Sequence, residues 1–344
     1  MANKKKPKPT ATPKTNSKVG KPSDDGGMHK VAWLGGGLIT LAIGVVLIKK
    51  FLTPQRRQSA RTPCPYPAVI DGYTVGALIA NGGTATVYRG TDPEGNPVAI
   101  KIPHAEQVGY KDFVATFLRE GEIGLSLRHP SIVKVVHVGS YIDAKIGKIP
   151  FFVMEQLEGE EVDAILERER HLDPAFAIMI ARSVADALQW AHSRGVIHRD
   201  ISPMNIFVTN KRLVKVMDFG ISTVSKKFSG KKANKALNFG TPSYLAPERI
   251  LNKSTGDERS DLYALGCVMF EMIVGIPPYD HERPEVICNM HVSAPIPRLA
   301  ERSKFLISRD LETFMTKILA KRPEDRYQTA REVVSALVEL MPDD

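Results

Sequence analysis

One stretch of the chain is apolar without interruption. VAWLGGGLITLAIGVVLI, residues 31–48, holds no charged side chain. As a helix it rises roughly 27 Å, close to a hydrocarbon core of about 30 Å. Phe51 and Leu52 extend it if Lys49 and Lys50 reach back toward headgroups. Trp33 sits where an interfacial anchor belongs. The expectation is one transmembrane helix over 31–48. A cleaved leader fits less well, because no small-residue cleavage site follows and the polar lead is long. A buried globular helix would lack anything before residue 60 to cover it. A hairpin turning at Gly35-Gly36-Gly37 is the remaining alternative.

Beyond residue 72 the pattern changes twice. TVGALI, TATVYRG and PVAIKI read as short strands. Asn81-Gly82-Gly83 and Glu94-Gly95-Asn96-Pro97 are the turn signals between them. After Glu155 the spacing becomes helical. FAIMIARSVADALQWAHSRG repeats apolar residues on one face. DLYALGCVMFEMIVG, from Asp261, is apolar nearly all round, as a helix buried on every side would be. The picture is α+β: a small antiparallel strand-rich lobe followed by a larger helical lobe. Four segments result: a Lys/Pro-rich tail over 1–30, the span 31–48, a Pro-punctuated linker over 49–72, and one domain over 73–341. The tail has too few apolar residues to offset ordering entropy and reads as disordered.

Composition matters mainly through where the charge lies. The net charge is +9. Residues 1–30 carry +6 and residues 31–61 carry +5, which leaves the other 283 at −2. Basicity flanks the apolar stretch, which suits a membrane surface and argues against a nucleic-acid partner. Cys64, Cys267 and Cys288 are too few and too scattered for a disulfide framework or a zinc site.

The candidate chemistry is phosphoryl transfer. It requires a phosphate cradle, a cation on the phosphates, ligands for Mg²⁺ and a carboxylate beside the attacking hydroxyl. Ile79-Ala80-Asn81-Gly82-Gly83-Thr84-Ala85-Thr86-Val87 is a Gly-rich hairpin whose backbone N–H groups can approach phosphates. Alone, it reads as a plain turn. Lys101 ends the apolar strand Val98-Ala99-Ile100-Lys101, and Glu120 is a carboxylate suited to hold it. His198-Arg199-Asp200 with Asn205 five residues after the aspartate, followed by Asp218-Phe219-Gly220, is the strong signal. Ala246-Pro247-Glu248 completes the ordered set.

With these motifs in this order, the chain resembles the eukaryotic-like protein kinases, and their bacterial Ser/Thr members in particular, over about residues 73–340. The resemblance implies a two-lobed kinase fold with a five-stranded antiparallel sheet and ATP in the cleft. It implies ATP as donor and Mg²⁺, or Mn²⁺ in its place, as the metal. The hairpin from Ile79 to Val87 would cover the nucleotide. Lys101 would bind its phosphates and pair with Glu120. Met154 resembles the gatekeeper, and Glu155-Gln156-Leu157 the adenine hinge. Asp200 resembles the catalytic base, and Asn205 and Asp218 the metal ligands. Glu248 would pair with Arg326, and Asp261 would brace the catalytic loop. Gly240-Thr241-Pro242-Ser243-Tyr244-Leu245 resembles the Ser/Thr form of the peptide-docking segment, so protein Ser/Thr hydroxyls are the implied acceptors.

Three departures stand out. Ala80 and Ala85 replace hairpin glycines. Ser202 occupies a position where this family usually carries Lys. The segment 221–239 has no Ser, Thr or Tyr in its later half and is crowded with lysines, so the usual phosphate-acceptor position is empty and the sequence leaves activation by phosphorylation there open. These departures motivate a second reading, a pseudokinase scaffold that binds partner proteins. The full set of Lys101, Glu120, Asp200, Asn205 and Asp218 favours the enzyme. The chain is thus expected at the cell membrane, single-pass through lipid at 31–48, with its kinase domain cytoplasmic where ATP is. Basic residues on both flanks do not orient the span by themselves.

Overall fold

In this computed structural model, residues 67–219, 241–252 and 256–341 are described. The apolar stretch 31–48, the tail, Cys64 and the segment 221–239 lie outside them. Among the described residues, no helix is long and apolar enough to cross a membrane.

The small lobe is built on strand alternation. Its strands are β1 (Val69–Ile70), β2 (Tyr73–Asn81), β3 (Ala85–Thr91), β4 (Pro97–Pro103), β5 (Val135–Asp143) and β6 (Gly147–Glu155), in the antiparallel order β1-β2-β3-β4-β6-β5. Two helices lie between β4 and β5: α1 (Ala105–Val108) and α2 (Lys111–Ser126). Five strands were expected, and the sixth is β1. It lies in the stretch read as linker, and two residues give no periodicity to detect. Tertiary contact defines it: Ile70 is buried and pairs with Tyr73.

Successive strand residues face opposite sides. Val98, Ile100 and Ile102 of β4 pack with Ile149, Phe151 and Val153 of β6 on one face. On the other face, Phe152 packs with Phe113 and Phe117 of α2. Lys101 is opposite Phe152 in register, so parity sends it to the α2 side.

The larger lobe opens with β7 (Gly159–Glu161), α3 (Val162–Glu169) and α4 (Pro174–His192). β8 (Ile206–Thr209) and β9 (Val214–Val216) join β7 in a three-stranded sheet. α5 (Pro247–Leu251), α6 (Glu258–Val274), α7 (Pro284–Ser293), α8 (Leu299–Arg302), α9 (Arg309–Ile318) and α10 (Ala330–Glu339) follow. Asp173 caps α4 by accepting from the Ala175 N–H, with Pro174 at the first helical position. Asp257 caps α6 in the same way through the Arg259 N–H. The all-round apolar pattern of α6 has the expected consequence: Leu262, Tyr263, Leu265, Val268 and Phe270 have no exposed surface. The core forms around α6, with α4, α9 and α10 against it. Cys267, within it, and Cys288, outside it, are buried free thiols.

Candidate active site

Lys101 Nζ lies 2.7 Å from Glu120 Oε1 and 2.8 Å from Asp218 Oδ1. These three residues come from β4, α2 and the turn after β9. Strand parity aims the lysine, and its ammonium also lies 5.4 Å from the centre of the Phe152 ring. Glu120 falls on the buried stripe of α2 with Phe113, Phe117 and Gly121. Gly121 permits the close approach of helix to sheet, because a Cβ there would stand 2.7 Å from Val138 Cγ2. Burial raises the Glu120 carboxyl, with Lys101 opposing. Burial works against the charge of Lys101, but the two carboxylates more than offset it and hold its proton firmly. At Asp218 enclosure opposes ionisation, and Lys101 outweighs it, so its pKa is lowered.

The loop over residues 198–205 is held from behind. Asp261 of α6 accepts from the His198 N–H at 2.8 Å and the Arg199 N–H at 2.7 Å, and its Oδ2 is 2.9 Å from His192 Nε2. Burial opposes its charge, yet the hydrogen bond from His192 outweighs it and keeps its pKa lowered. His198 has no exposed surface. It stacks edge-on against Phe219 and sits 2.8 Å from the Met217 carbonyl. The loop is thereby joined to the segment that carries Asp218, itself at φ 56°. Asn205 Nδ2 donates to the Asp200 carbonyl at 2.7 Å, and the Asn205 carbonyl accepts from the Met217 N–H at 2.9 Å. Asp200, Asn205 and Asp218 are therefore fastened to one another through the backbone.

Asn205 and Asp218 fit a hard cation. The Asn205 side-chain nitrogen is used inside the loop, which leaves its side-chain oxygen Oδ1 as the ligand atom, and Asp218 adds a carboxylate held ionised. Among the described residues, no three or more His, Cys, Asp or Glu side chains form a metal cage. Mg²⁺ is commonly bound through one or two protein oxygens plus substrate phosphates, which suits this sparse donor set.

The hairpin turns at Gly82, whose N–H donates to the Ala85 carbonyl at 2.9 Å. A Cβ on Gly82 would crowd that carbonyl at 3.2 Å. Ile79 to Asn81 lie on β2, Ala85 to Val87 on β3, and Gly83 and Thr84 between them. Asn81 Oδ1 accepts from Thr86 Oγ1 at 3.0 Å and lies 3.1 Å from His104 Nε2. The His104 N–H donates to the Thr84 carbonyl at 2.9 Å. His104 thus ties the hairpin to the end of β4. Sequence reasoning missed it, since a lone histidine after a strand carries no pattern. Met154 and Glu155 end β6, and Leu157 follows, all half-buried. The Glu155 carboxylate is occupied by Lys215 at 2.7 Å and the Lys134 N–H at 2.8 Å.

Glu248 meets Arg326 at 2.7 and 2.9 Å and accepts from Ser260 Oγ at 2.7 Å, as the pairing from the motif implied. Ser202 is buried at the start of the short turn Pro203–Asn205.

Residues 73–337 match the protein kinase domain family. Serine/threonine-protein kinase PknB of Mycobacterium tuberculosis is 36% identical over 270 residues, covering 78% of this chain and 42% of that protein. A probable serine/threonine-protein kinase of Corynebacterium efficiens is 35% identical over 274 residues, covering 78% and 41%. The chain spans about two-fifths of the length of these curated relatives. The crystal structure of the Mycobacterium tuberculosis PknI kinase domain superposes with a TM-score of 0.59 at 27% identity, covering 79% of this chain and 96% of that one. With Lys101, Glu120 and Asp218 joined across the two lobes and the family match spanning both, this chain belongs to the protein kinase family.

Proposed function

We propose that the chain transfers the γ-phosphate of ATP to Ser or Thr hydroxyls of protein substrates. The observation that carries this reading is the pairing of Lys101 with Glu120 and Asp218, while the segment of Asp218 is bonded to the loop that carries Asp200 and Asn205. In this reading Lys101 grips the nucleotide phosphates, and Glu120 keeps its ammonium in place. Asn205 and Asp218 hold the divalent cation, which neutralises charge developing on the transferred group. The Asp200 carboxylate orients the acceptor hydroxyl for in-line attack and takes its proton. Segment 241–245 seats the acceptor peptide. The Ser/Thr choice is supported by its Gly240-Thr241-Pro242 form and by the names of the relatives. Incubation of the purified chain with labelled Mg-ATP and casein tests the reading. Asp200→Asn should lose about 10²–10⁴-fold in transfer, and equal incorporation by variant and wild type would refute it.

We also propose that residues 31–48 anchor the chain in a membrane, with residues 73–341 forming the catalytic domain on the cytoplasmic side. The support is the uncharged eighteen-residue run and its basic flanks. The full chain should sediment with membranes and resist high-salt extraction, and deletion of 31–48 should release it. Salt-extractable full-length protein would contradict the anchor.

A further inference from the structure

The backbone around Asp200 is in a conformation that must be held. Arg199 has φ 69°, in the left-handed region that residues other than glycine seldom occupy. Its neighbours' polar groups are taken up by side chains. Asp261 receives the N–H groups of His198 and Arg199. His198 Nδ1 receives the Asp200 N–H at 3.2 Å, and Asn205 binds the Asp200 carbonyl. The Arg199 carbonyl belongs to the peptide bond that leads into Asp200, and it accepts from Arg249 Nη1 at 2.7 Å.

Arg249 is 4% exposed. A guanidinium is costly to bury unless its donors are used and opposite charge is near. Burial holds its pKa below the ordinary range, and Asp261 and Asp200 are the anions that oppose this most. Its helix, α5, is only five residues long and is fastened at the preceding residue, Glu248, to Arg326 and Ser260. One short helix therefore bonds to the base of the lobe at one residue and to the catalytic loop at the next. Only Ala246 separates α5 from segment 241–245.

We propose that Arg249 is a positioning residue for Asp200. Its guanidinium grips the Arg199 carbonyl, holds the left-handed turn, and links the seat of the acceptor peptide to the direction of the Asp200 carboxylate. The link to the peptide seat rests on the kinase reading given above; the grip on the loop does not.

The test uses the full chain with Arg249→Met and Arg249→Lys. ATP turnover with casein, ADP affinity by calorimetry, and hydrogen exchange over residues 196–206 and over α6 are measured together. Arg249→Met should lower kcat roughly 10–100-fold with ADP affinity within about twofold of wild type, because the nucleotide contacts lie elsewhere. Arg249→Lys should return kcat to within about tenfold of wild type, since an ammonium also donates to a carbonyl. Exchange over 196–206 should quicken in Arg249→Met while α6 stays protected. Turnover within twofold of wild type in Arg249→Met overturns the proposal. So does a joint loss of turnover, ADP affinity and α6 protection, which would mark general unfolding. If wild type itself transfers no phosphate, the kinase reading fails, and exchange over 196–206 still decides: unchanged protection overturns the positioning role. Should Arg249→Met fail to fold, Arg249→Gln replaces it with the same outcomes.

Discussion

The two sides of the cleft are held by different physics. Around Lys101, charged groups from β4 and α2 of the small lobe and from the turn after β9 of the large lobe balance one another, and the Asp218 side chain is 42% exposed. On the large-lobe side, Asp200 sits on a loop whose amides are bonded to Asp261, a carboxylate only 1% exposed. The first arrangement is a set of ion pairs that a ligand's phosphates and metal can reorganise. The second is a buried backbone lattice with no slack. The cleft joins a compliant charge cluster to a rigid support, and each should respond differently to the loss of one group.

Lys101→Met should break the compliant side functionally. Phosphate transfer should fall roughly 10²–10³-fold, the scale for removing one preorganised charge contact. Stability should change by only about 1–2 kcal/mol, because the raised Glu120 carboxyl can take up a proton when its cation is gone. Steady-state kinetics alongside urea denaturation would measure both, and a large drop in stability would erase the contrast.

Asp261→Ala should break the rigid side structurally. It orphans two buried N–H groups and the His192 ring, and breaking such a buried pair costs about 3–5 kcal/mol. The denaturation midpoint should shift accordingly, with activity lost alongside it. A stable but inactive variant would show that Asp261 matters to the loop alone and not to the fold.

A smaller effect extends the comparison to segment 241–245, proposed as the peptide seat. Burial pushes the Glu271 carboxyl up to about 7, against the pull of the Tyr244 hydroxyl, which donates to it at 2.7 Å. The folded protein keeps a proton that the unfolded chain releases near pH 4.5. Stability should therefore fall as pH rises from about 4.5 to 7 and level off above. Glu271→Gln removes this slope and should be more stable than wild type at pH 8 by about 1–3 kcal/mol. Parallel pH profiles of the two proteins would disprove the assignment.

Several residues on both sides were legible in the sequence. Lys101, Asp200, Asn205 and Asp218 lie in spaced motifs, and Glu248 with Arg326 followed from the same resemblance. Glu120 was legible only as a carboxylate on a helix; its helical stripe decides its burial. β1 was hidden by its two-residue length. His104 and Arg249 were hidden for another reason: each is a single residue whose partner, Asn81 or the Arg199 carbonyl, is distant along the chain.

The sequence by itself determined the order of the chemical groups, the apolar strand that ends in Lys101, the buried character of α6, and the location of the excess positive charge outside 62–344. Those follow from local spacing and side-chain type, which need no partner to be read. Only the tertiary structure decided how Asp261 and Arg249 grip opposite ends of one residue, Arg199, and hold it at φ 69°. A left-handed turn at an arginine has no local preference behind it. It persists because bonds from α5 and α6, some fifty to sixty residues along the chain, outweigh the strain.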